Sequence, residues 1–187
     1  MSIYFKYTTD EYGCLSNFSP HPITIDGVVW KSTEAYYQAQ KFLSEAIREE
    51  IRAKPTPKAA KVWAYTYKDC VRKDWQDMSL ATMEKALRAK LEQNSDVKQK
   101  LLDSGTQSLY EQSSSDWFWG TGADGTGRNE LGKLWMKLRS ELQIAKTIDP
   151  KAILEIKFRD AGNKVIDEHW RQSNGYAGRD EQGGSDF

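Results

Sequence analysis

Short apolar runs predict a small amount of β-structure in this chain. Residues 3–7 read IYFKY, and this alternation is typical of a strand with one buried face. Residues 23–25 and 28–30 are two more such runs, separated by Asp26-Gly27, a dipeptide that favours a two-residue hairpin turn. Residues 109–112 predict a further brief strand. The pattern therefore predicts one hairpin and two separate strands.

Apolar residues spaced by three and four predict several helices over the rest of the first 147 residues. Ser, Thr or Asn stands at the start of most of these segments, where helices are commonly capped. The predicted helices run from a cap at Ser32 to about Leu43, from Glu45 to Lys54, from Thr56-Pro57 to Tyr65, from a cap at Ser79 through Leu91, from Ser95 to Gly105, and from Asn129 to near Ile144.

A glycine-rich loop that leads into the last of these helices is the most informative stretch, over residues 116–139. The loop contains Gly120, Gly125 and Gly127, and Asn129 stands at the position of a helix N-cap. A helix N-terminus carries unpaired amides and a partial positive charge, which suit a phosphate or carboxylate. We therefore expect this loop to hold a phosphorylated ligand, with the first amides of the helix binding the anion.

The glycine-rich loop has two other possible interpretations. Glycines before a helix can be simple turn residues, and aromatic residues such as Trp119 near a helix are usually core rather than a surface for a ring or base. Gly120, Gly122 and Gly125 also match a dinucleotide-binding fingerprint. That fingerprint requires a buried strand before it and a βαβ unit around it, whereas polar residues 113–116 precede it here. A dinucleotide-binding fold is therefore rejected.

The first predicted helix carries an unusual face. Glu34, Tyr37, Gln38, Lys41 and Phe42 fall on one side, because they are spaced by three and four residues. A core face should be aliphatic, and a solvent face should lack the aromatic residues. We interpret this face as one wall of a polar pocket; the alternative is an exposed ladder of acid, amide and lysine.

Composition and charge narrow the class of protein. The 187 residues include 27 Lys plus Arg and 27 Asp plus Glu, so the net charge is zero and no broad nucleic-acid footprint is expected. Cys14 and Cys70 lack metal-site spacing and are expected to be reduced thiols of a cytoplasmic protein. No apolar run approaches the roughly 20 residues that a membrane helix needs.

Pro150 marks a change in the chain, and the predicted domain covers residues 1–147. Residues 148–187 are predicted to be a C-terminal extension. Alternating residues in it indicate a hairpin, with a helix over 164–171 as the alternative. The stretch from about residue 173 is rich in Gly, Ser and charge and is predicted to be disordered.

Four motifs, taken together in their order and spacing, resemble the NADAR family. They are YG-x-LSNF at 12–18, PI with DG and W within 22–30, E-x-Y-x-QA-x-KF at 34–42, and WG-x-G-x-x-G-x-G-x-N-x-LG at 119–132. The resemblance extends from about Ile3 to Leu142. It implies a mainly helical α+β domain with a small β-sheet, to which the C-terminal extension is an appendage.

The resemblance also implies an activity. The family is associated with hydrolysis of the N-glycosidic bond of ribosyl phosphates, in riboflavin-pathway ribosylamino-pyrimidine phosphates or in ADP-ribosylated guanine. The expected partners are thus a phosphorylated ribosyl or ADP-ribosyl ligand and, as a candidate substrate, ADP-ribosylated nucleic acid. No cofactor and no metal are implied. The alternative is a module that binds ADP-ribose or a related nucleotide without cleaving it.

Glu34 and Asp116 are the predicted catalytic acids, because an N-riboside passes through an oxocarbenium-like sugar that a carboxylate can stabilise. Each has a structural alternative, Glu34 as a helix-dipole partner and Asp116 as a turn residue. Lys41 could meet a phosphate or pair with Glu34, and Asn17 could contact ribose or hold its own loop. The predicted substrate-binding residues are Asn17, Phe18, Trp30, Tyr37, Gln38, Lys41, Trp119, Gly120, Gly125, Gly127 and Asn129.

Two positions depart from the family pattern. Ala35 replaces a His that usually follows the helix glutamate, and residues 62–65, VWAY, replace a usual Gly-Arg pair. The missing arginine is a candidate phosphate contact. Its absence therefore bears on the substrate more than on the fold.

Overall fold

The computed structural model describes residues 2–147, which form four strands, six α-helices and two short 3-10 helices and confirm a mainly helical α+β fold. The predicted extension over 148–187, with its hairpin and tail, lies outside the described residues. None of the described helices is both long and apolar enough to cross a membrane. The elements are β1 Ser2–Phe5, β2 Ile23–Ile25, β3 Val28–Trp30, α1 Thr33–Ala39, α2 Glu45–Arg52, α3 Pro57–Thr66, α4 Trp75–Gln93, α5 Ser95–Asp103, β4 Ser108–Glu111 and α6 Glu130–Thr147.

The strands form two separate pairs. β2 and β3 make the predicted antiparallel hairpin, and its turn residues Asp26 and Gly27 both have positive φ, 53° and 78°. β1 lies parallel to β4 with Ile3 opposite Leu109, so two strands more than a hundred positions apart in sequence are neighbours. This second pairing brings the end of β4 into the middle of the domain.

The predicted capping chemistry is formed at Ser32 and Thr56, whereas Ser95 is the first residue of α5 and its predicted cap role falls to Asn94, which makes no side-chain cap hydrogen bond. The side-chain oxygens of Ser32 and Thr56 each accept a hydrogen bond from the amide three residues later. The prediction that Ser79 caps a helix is wrong, because α4 begins four residues earlier at Trp75. The Ser79 hydroxyl instead donates to the carbonyl of Gln76. α1 ends at Ala39, before the predicted Leu43.

The apolar interior consists of two clusters that meet at α1. β1, β4, α4, α5 and α6 surround the first, and the hairpin with α2 and α3 surrounds the second. Consecutive residues of α1 belong to different clusters, Tyr36 to the second and Tyr37 to the first. The polar residues Glu34 and Gln38 of the same helix are therefore buried at the junction of the two clusters.

Candidate active site

A cavity of about 350 Å³ lies at this junction. Its walls come from segments that are far apart in sequence, namely α1, α3, the end of β4 and the start of the glycine-rich loop. The polar residues among those that line it are Asn17, Glu34, Gln38, Lys41, Lys61, Glu111, Ser113 and Asp116, and its aromatic residues are Phe18, Tyr37, Phe118 and Trp119.

Asn17 positions the helix that carries Glu34. Its carbonyl accepts a hydrogen bond from the Glu34 amide at 3.2 Å, and its side-chain oxygen accepts one from the Thr33 hydroxyl at 3.2 Å. Gln38, one turn further along, donates from Nε2 to Glu34 Oε1 at 2.8 Å. Glu34 and Gln38 are each only 5% exposed. The exposed ladder considered above is therefore excluded, and this face of α1 is a buried wall of the cavity.

Burial raises the pKa of Glu34 above its ordinary value. The Gln38 hydrogen bond and the positive charges of Lys61 and Lys41 act in the opposite direction, whereas the negative charge of Asp116 adds to the rise. The cavity therefore disfavours the charged form of this carboxyl group relative to water, and the Gln38 hydrogen bond and the two lysines partly offset that effect.

Glu111 is a third acid in the cavity, and the sequence analysis did not identify it. It is the last residue of β4, and its pKa is raised to about 7 by burial and by the charges of Asp116 and Glu34. Within residues 2–147, no hydrogen bond to its carboxyl oxygens is formed, so the group faces the cavity without a protein partner. Its one sequence signal is an acid within the strand predicted over residues 109–112, shortly before the glycine-rich loop.

Asp116 lines the cavity and also fixes the turn at the start of the loop. Its Oδ1 accepts from the amides of Phe118 at 3.0 Å and Trp119 at 2.7 Å. The Trp119 indole in turn donates to the Tyr37 hydroxyl at 3.3 Å, and the two rings meet edge to face at 5.4 Å. The turn role considered for Asp116 is therefore present, and it holds the aromatic wall in place.

Two lysines complete the polar lining. The Lys41 ammonium lies 5.4 Å from the centre of the Tyr37 ring, and burial lowers the pKa of Lys41. Lys61 of α3, which the sequence analysis missed, stands on the same cavity. In the described part of the chain neither lysine has a carboxylate oxygen within 4.0 Å, so the ion pair considered for Lys41 and Glu34 is not formed.

The first amides of α6, where an anion site is predicted, already have hydrogen-bond partners within the protein. The amides of residues 129–131 donate to the carbonyls of residues 118–120 at 3.0–3.2 Å. The side chain of Asn129 does not cap its own helix. It bridges to β4 instead, donating to the Leu109 carbonyl at 2.9 Å and accepting from the Glu111 amide at 3.0 Å.

Close packing against backbone atoms requires glycine at positions 120 and 127 of the loop. A Cβ on Gly127 would lie 2.5 Å from the carbonyl oxygen of Gly120, and one on Gly120 would lie 2.9 Å from the carbonyl oxygen of Glu111. Gly125 has a φ of 83° and lines a different cavity, beside Tyr4 and Tyr110. Gly120, Gly125, Gly127 and Asn129 therefore lie outside the lining of the Glu34 cavity, contrary to their predicted ligand contacts.

Trp30 also lies away from the cavity. It is 5% exposed in the second apolar cluster, where it meets Tyr36 edge to face at 5.5 Å. Its indole nitrogen is buried with no hydrogen-bond partner among the described residues. Its predicted ligand contact is therefore not supported by the lining of the Glu34 cavity. Ala35, at the position of the family histidine, is buried in the same cluster.

Residues 2–147 contain no group of three or more His, Cys, Asp and Glu side chains that could hold a metal ion. The three cavity acids offer groups that can carry protons and supply negative charge. Together with the two lysines and the aromatic wall, they can bind an anionic, ring-bearing ligand and exchange protons with it.

Comparison with known proteins agrees with this picture. Residues 3–143 match the NADAR domain. The chain is 43% identical over 144 residues to N-glycosidase YbiA of Escherichia coli (strain K12), covering 77% of this chain and 90% of that protein. It is 40% identical over 146 residues to N-glycosidase Npun_R5314 of Nostoc punctiforme, covering 76% of this chain and 94% of that protein.

Two further matches extend the comparison. A longer protein of Vibrio vulnificus, named riboflavin biosynthesis protein VVA0006, is 42% identical over 142 residues, which are 75% of this chain and 38% of that protein. The NMR structure of E. coli YbiA superposes with a TM-score of 0.73 at 41% identity, covering 80% of this chain and 90% of that one. The chain therefore belongs to the NADAR domain family.

Proposed function

We propose that this protein is a hydrolase that cleaves an N-glycosidic bond of a ribosyl phosphate or ADP-ribosyl compound. The observation that carries the proposal is the convergence of Glu34, Glu111 and Asp116 on one cavity that also holds lysines and an aromatic wall. The relatives named N-glycosidases support the same class of reaction. Hydrolysis of such a bond needs a proton donor, a base for water and negative charge near the sugar, and all three are available here.

Protons are unequally distributed among these acids. Three carboxyl groups in one buried cavity cannot all ionise at neutral pH, because each charge opposes the next. Glu34 has a hydrogen bond from Gln38 and two lysines that favour its charged form. Glu111 has only Lys61 in its favour and two acids against it. We therefore assign the carboxylate to Glu34 and the proton to Glu111.

These protonation states suit the chemistry of the bond. Glu111 donates its proton to the departing nitrogen while the bond from that nitrogen to the sugar C1′ breaks. The positive charge that develops on the sugar is stabilised by the Glu34 carboxylate. Water then adds to C1′ and gives its proton to Glu34. One water molecule is consumed, and a proton passing from Glu34 through solvent to Glu111 restores the starting state.

Asp116 contributes to the same chemistry by position and charge. Its hydrogen bonds fix Trp119, whose ring borders the space where a leaving base would lie. Stacking of a base on such a ring contributes about 1–3 kcal/mol. Lys41 and Lys61, which have no carboxylate partner among residues 2–147, are the groups we assign to the substrate phosphate.

The substrate is one of two kinds. A ribosylamino-pyrimidine phosphate is supported by the relative named for riboflavin biosynthesis. An ADP-ribosylated guanine base, alone or in nucleic acid, is the second candidate. A module that binds ADP-ribose without cleaving it is the alternative function, because Ala35 and residues 62–65 differ from the family pattern.

Parallel incubation with the two substrates tests the proposal. We expect the protein to release ribose 5-phosphate from ribosylamino-pyrimidine phosphate or ADP-ribose from ADP-ribosylated guanine DNA, detected by mass spectrometry. The double variant Glu34→Gln/Glu111→Gln, prepared identically, reports any contaminating activity. Tight binding of ADP-ribose without release from either substrate would replace the proposed activity with the binding module.

A further inference from the structure

A second concave surface adjoins the catalytic cavity on the side of α3. This groove has a volume of about 530 Å³ and shares four residues with the cavity, namely Phe18, Gln38, Lys41 and Lys61. A ligand that fills the cavity can therefore continue into the groove without leaving the protein surface. The part of the groove beyond the shared residues is formed mainly by α3 and the segment that follows it.

Apolar side chains form the floor of the groove. Val62 and Tyr65 of α3 are 59% and 73% exposed, and Ala64 and Val71 lie beside them. A contiguous apolar surface of this kind, next to a catalytic cavity, is typical of a ligand-binding site. The ring of Tyr65 offers a flat surface on which another ring can stack.

Lysines surround this apolar floor. Lys41, Lys58, Lys61 and Lys68 line the groove, and none of its lining residues is acidic. Within residues 2–147 none of these four has a carboxylate oxygen within 4.0 Å. Three lysines outside the groove behave differently. Lys85 with Asp26, Lys100 with Glu11 and Lys137 with Glu84 form ion pairs at 2.7–3.0 Å.

We propose that this groove binds a nucleoside phosphate unit of the substrate that lies beyond the ribose being cleaved. The base of that unit stacks over Val62 and Tyr65, and its phosphates meet Lys58 and Lys68 at the rim. That this unit is covalently part of the substrate rests on the proposed function. The groove assignment extends that function by giving a second binding site to the larger, ADP-ribosyl kind of substrate.

The combination of charge and shape selects this ligand class. A purely apolar ligand would leave four lysines without partners. Inorganic phosphate alone would leave the apolar floor exposed to water. A nucleoside phosphate satisfies both, and the Lys68 ammonium already lies 5.8 Å from the centre of the Tyr65 ring, so a cation and an aromatic surface are adjacent.

The test is equilibrium binding of AMP, adenosine and ribose 5-phosphate to the full chain. The variant Lys58→Ala/Lys68→Ala changes only lysines outside the catalytic cavity. We expect it to weaken AMP binding about tenfold, since two exposed charge contacts together contribute about 1.4 kcal/mol. Its binding of ribose 5-phosphate, which we assign to the cavity, should stay within about twofold. Tyr65→Ala should weaken AMP and adenosine alike.

The matched control is Lys73→Ala/Lys98→Ala, which removes the same charge from exposed positions outside the groove. Equal loss of AMP affinity in this control, or AMP binding no tighter than adenosine binding in the unaltered protein, would overturn the groove assignment. The readout is binding, so it separates the two proposals. If Lys58→Ala/Lys68→Ala selectively loses AMP affinity but the unaltered protein hydrolyses neither substrate, the groove assignment stands and the proposed activity is contradicted.

Discussion

The glycine-rich loop and helix α1 both carry sequence patterns of a ligand site. Helix α1 lines the cavity with Glu34 and Gln38, whereas the loop lines it only at its start and not with its glycines or Asn129. The amides of the loop end are hydrogen-bonded to carbonyls of the same loop, and Asn129 is bonded to β4. Glu34 on α1 is equally buried, yet its carboxyl group faces open space. The difference indicates that burial identifies a site only where the buried polar group also faces a cavity.

Lys90 supports the same distinction. It is 0% exposed, and its ammonium donates to the Ser16 carbonyl at 2.9 Å and to the Ser19 hydroxyl. Burial lowers the pKa of Lys90 to about 7, a perturbation at least as large as that of Glu111. Because its hydrogen bonds go to neighbouring protein groups and it lines none of the cavities described above, we assign it a structural role. A perturbed pKa alone therefore does not mark a catalytic residue.

The largest expected effect is on the loop. Gly127→Ala should destabilise the protein by about 3 kcal/mol, because its Cβ would collide with backbone atoms that cannot move independently. Gly125→Ala is the matched control, since its Cβ would enter open space and its positive φ costs about 1 kcal/mol. Urea unfolding measures both. Equal stability of the two variants would contradict a packing role for Gly127.

Glu111→Gln tests the acid that only the structure identified. Loss of a general acid typically lowers a rate by about 10²–10⁴-fold, and we expect kcat/KM to fall by at least about the lower value. In the unaltered protein kcat/KM should decline as pH rises through about 7, because Glu111 loses its proton there. The variant should lack this alkaline decline. A rate profile that keeps it would assign the proton to another group.

The same substitution should change the pH dependence of stability. The folded pKa of Glu111 is raised to about 7 from an ordinary value of 4.5, so the folded protein binds more protons between these values. The free energy of unfolding therefore falls as pH rises from 4.5 through 7. The free energy of unfolding of Glu111→Gln minus that of the unaltered protein should therefore increase between pH 4 and pH 8. We expect this increase to be roughly 1–3 kcal/mol. A difference that does not vary with pH would contradict the buried, cavity-facing position of Glu111.

Trp30→Phe should have the smallest effect. The substitution removes a buried N–H group that has no partner in the described structure and leaves an aromatic ring against Tyr36. We expect stability to change by about 1 kcal/mol or less, since the lost packing and the removed polar group oppose each other. Hydrolysis should stay within about twofold, because Trp30 does not line the cavity in which we place the reaction. A large fall in kcat would indicate that Trp30 contributes to the active site.

Local features were predictable from the sequence. The Asp26-Gly27 turn and the caps at Ser32 and Thr56 depend on a few neighbouring residues, and the structure reproduces them. The polar face of α1 was predictable for the same reason, because helical spacing alone puts Glu34 and Gln38 on one side.

Long-range features were not predictable in the same way. The parallel pairing of β1 with β4 sets where Glu111 ends up, and no local pattern specifies it. Lys61 reaches the cavity only because α3 packs beside α1. The sequence of the glycine-rich loop could not show that the first amides of α6 are already bonded to carbonyls, because a free helix end has the same sequence signature. Tertiary packing determines which side chains face a cavity, and the spacing of residues in the sequence does not reveal that packing.

The central claim is that the Glu34 cavity performs the chemistry, and single-turnover hydrolysis with ligand titration on the same preparation tests it most directly. Glu34→Gln keeps the side-chain shape and removes the charge, and Glu92→Gln on the exposed surface of α4 is the matched control. We expect Glu34→Gln to slow hydrolysis by at least about 10²-fold, with much smaller change in ligand affinity, because the ground-state sugar carries no positive charge. Hydrolysis by Glu34→Gln at the rate of Glu92→Gln would contradict the account.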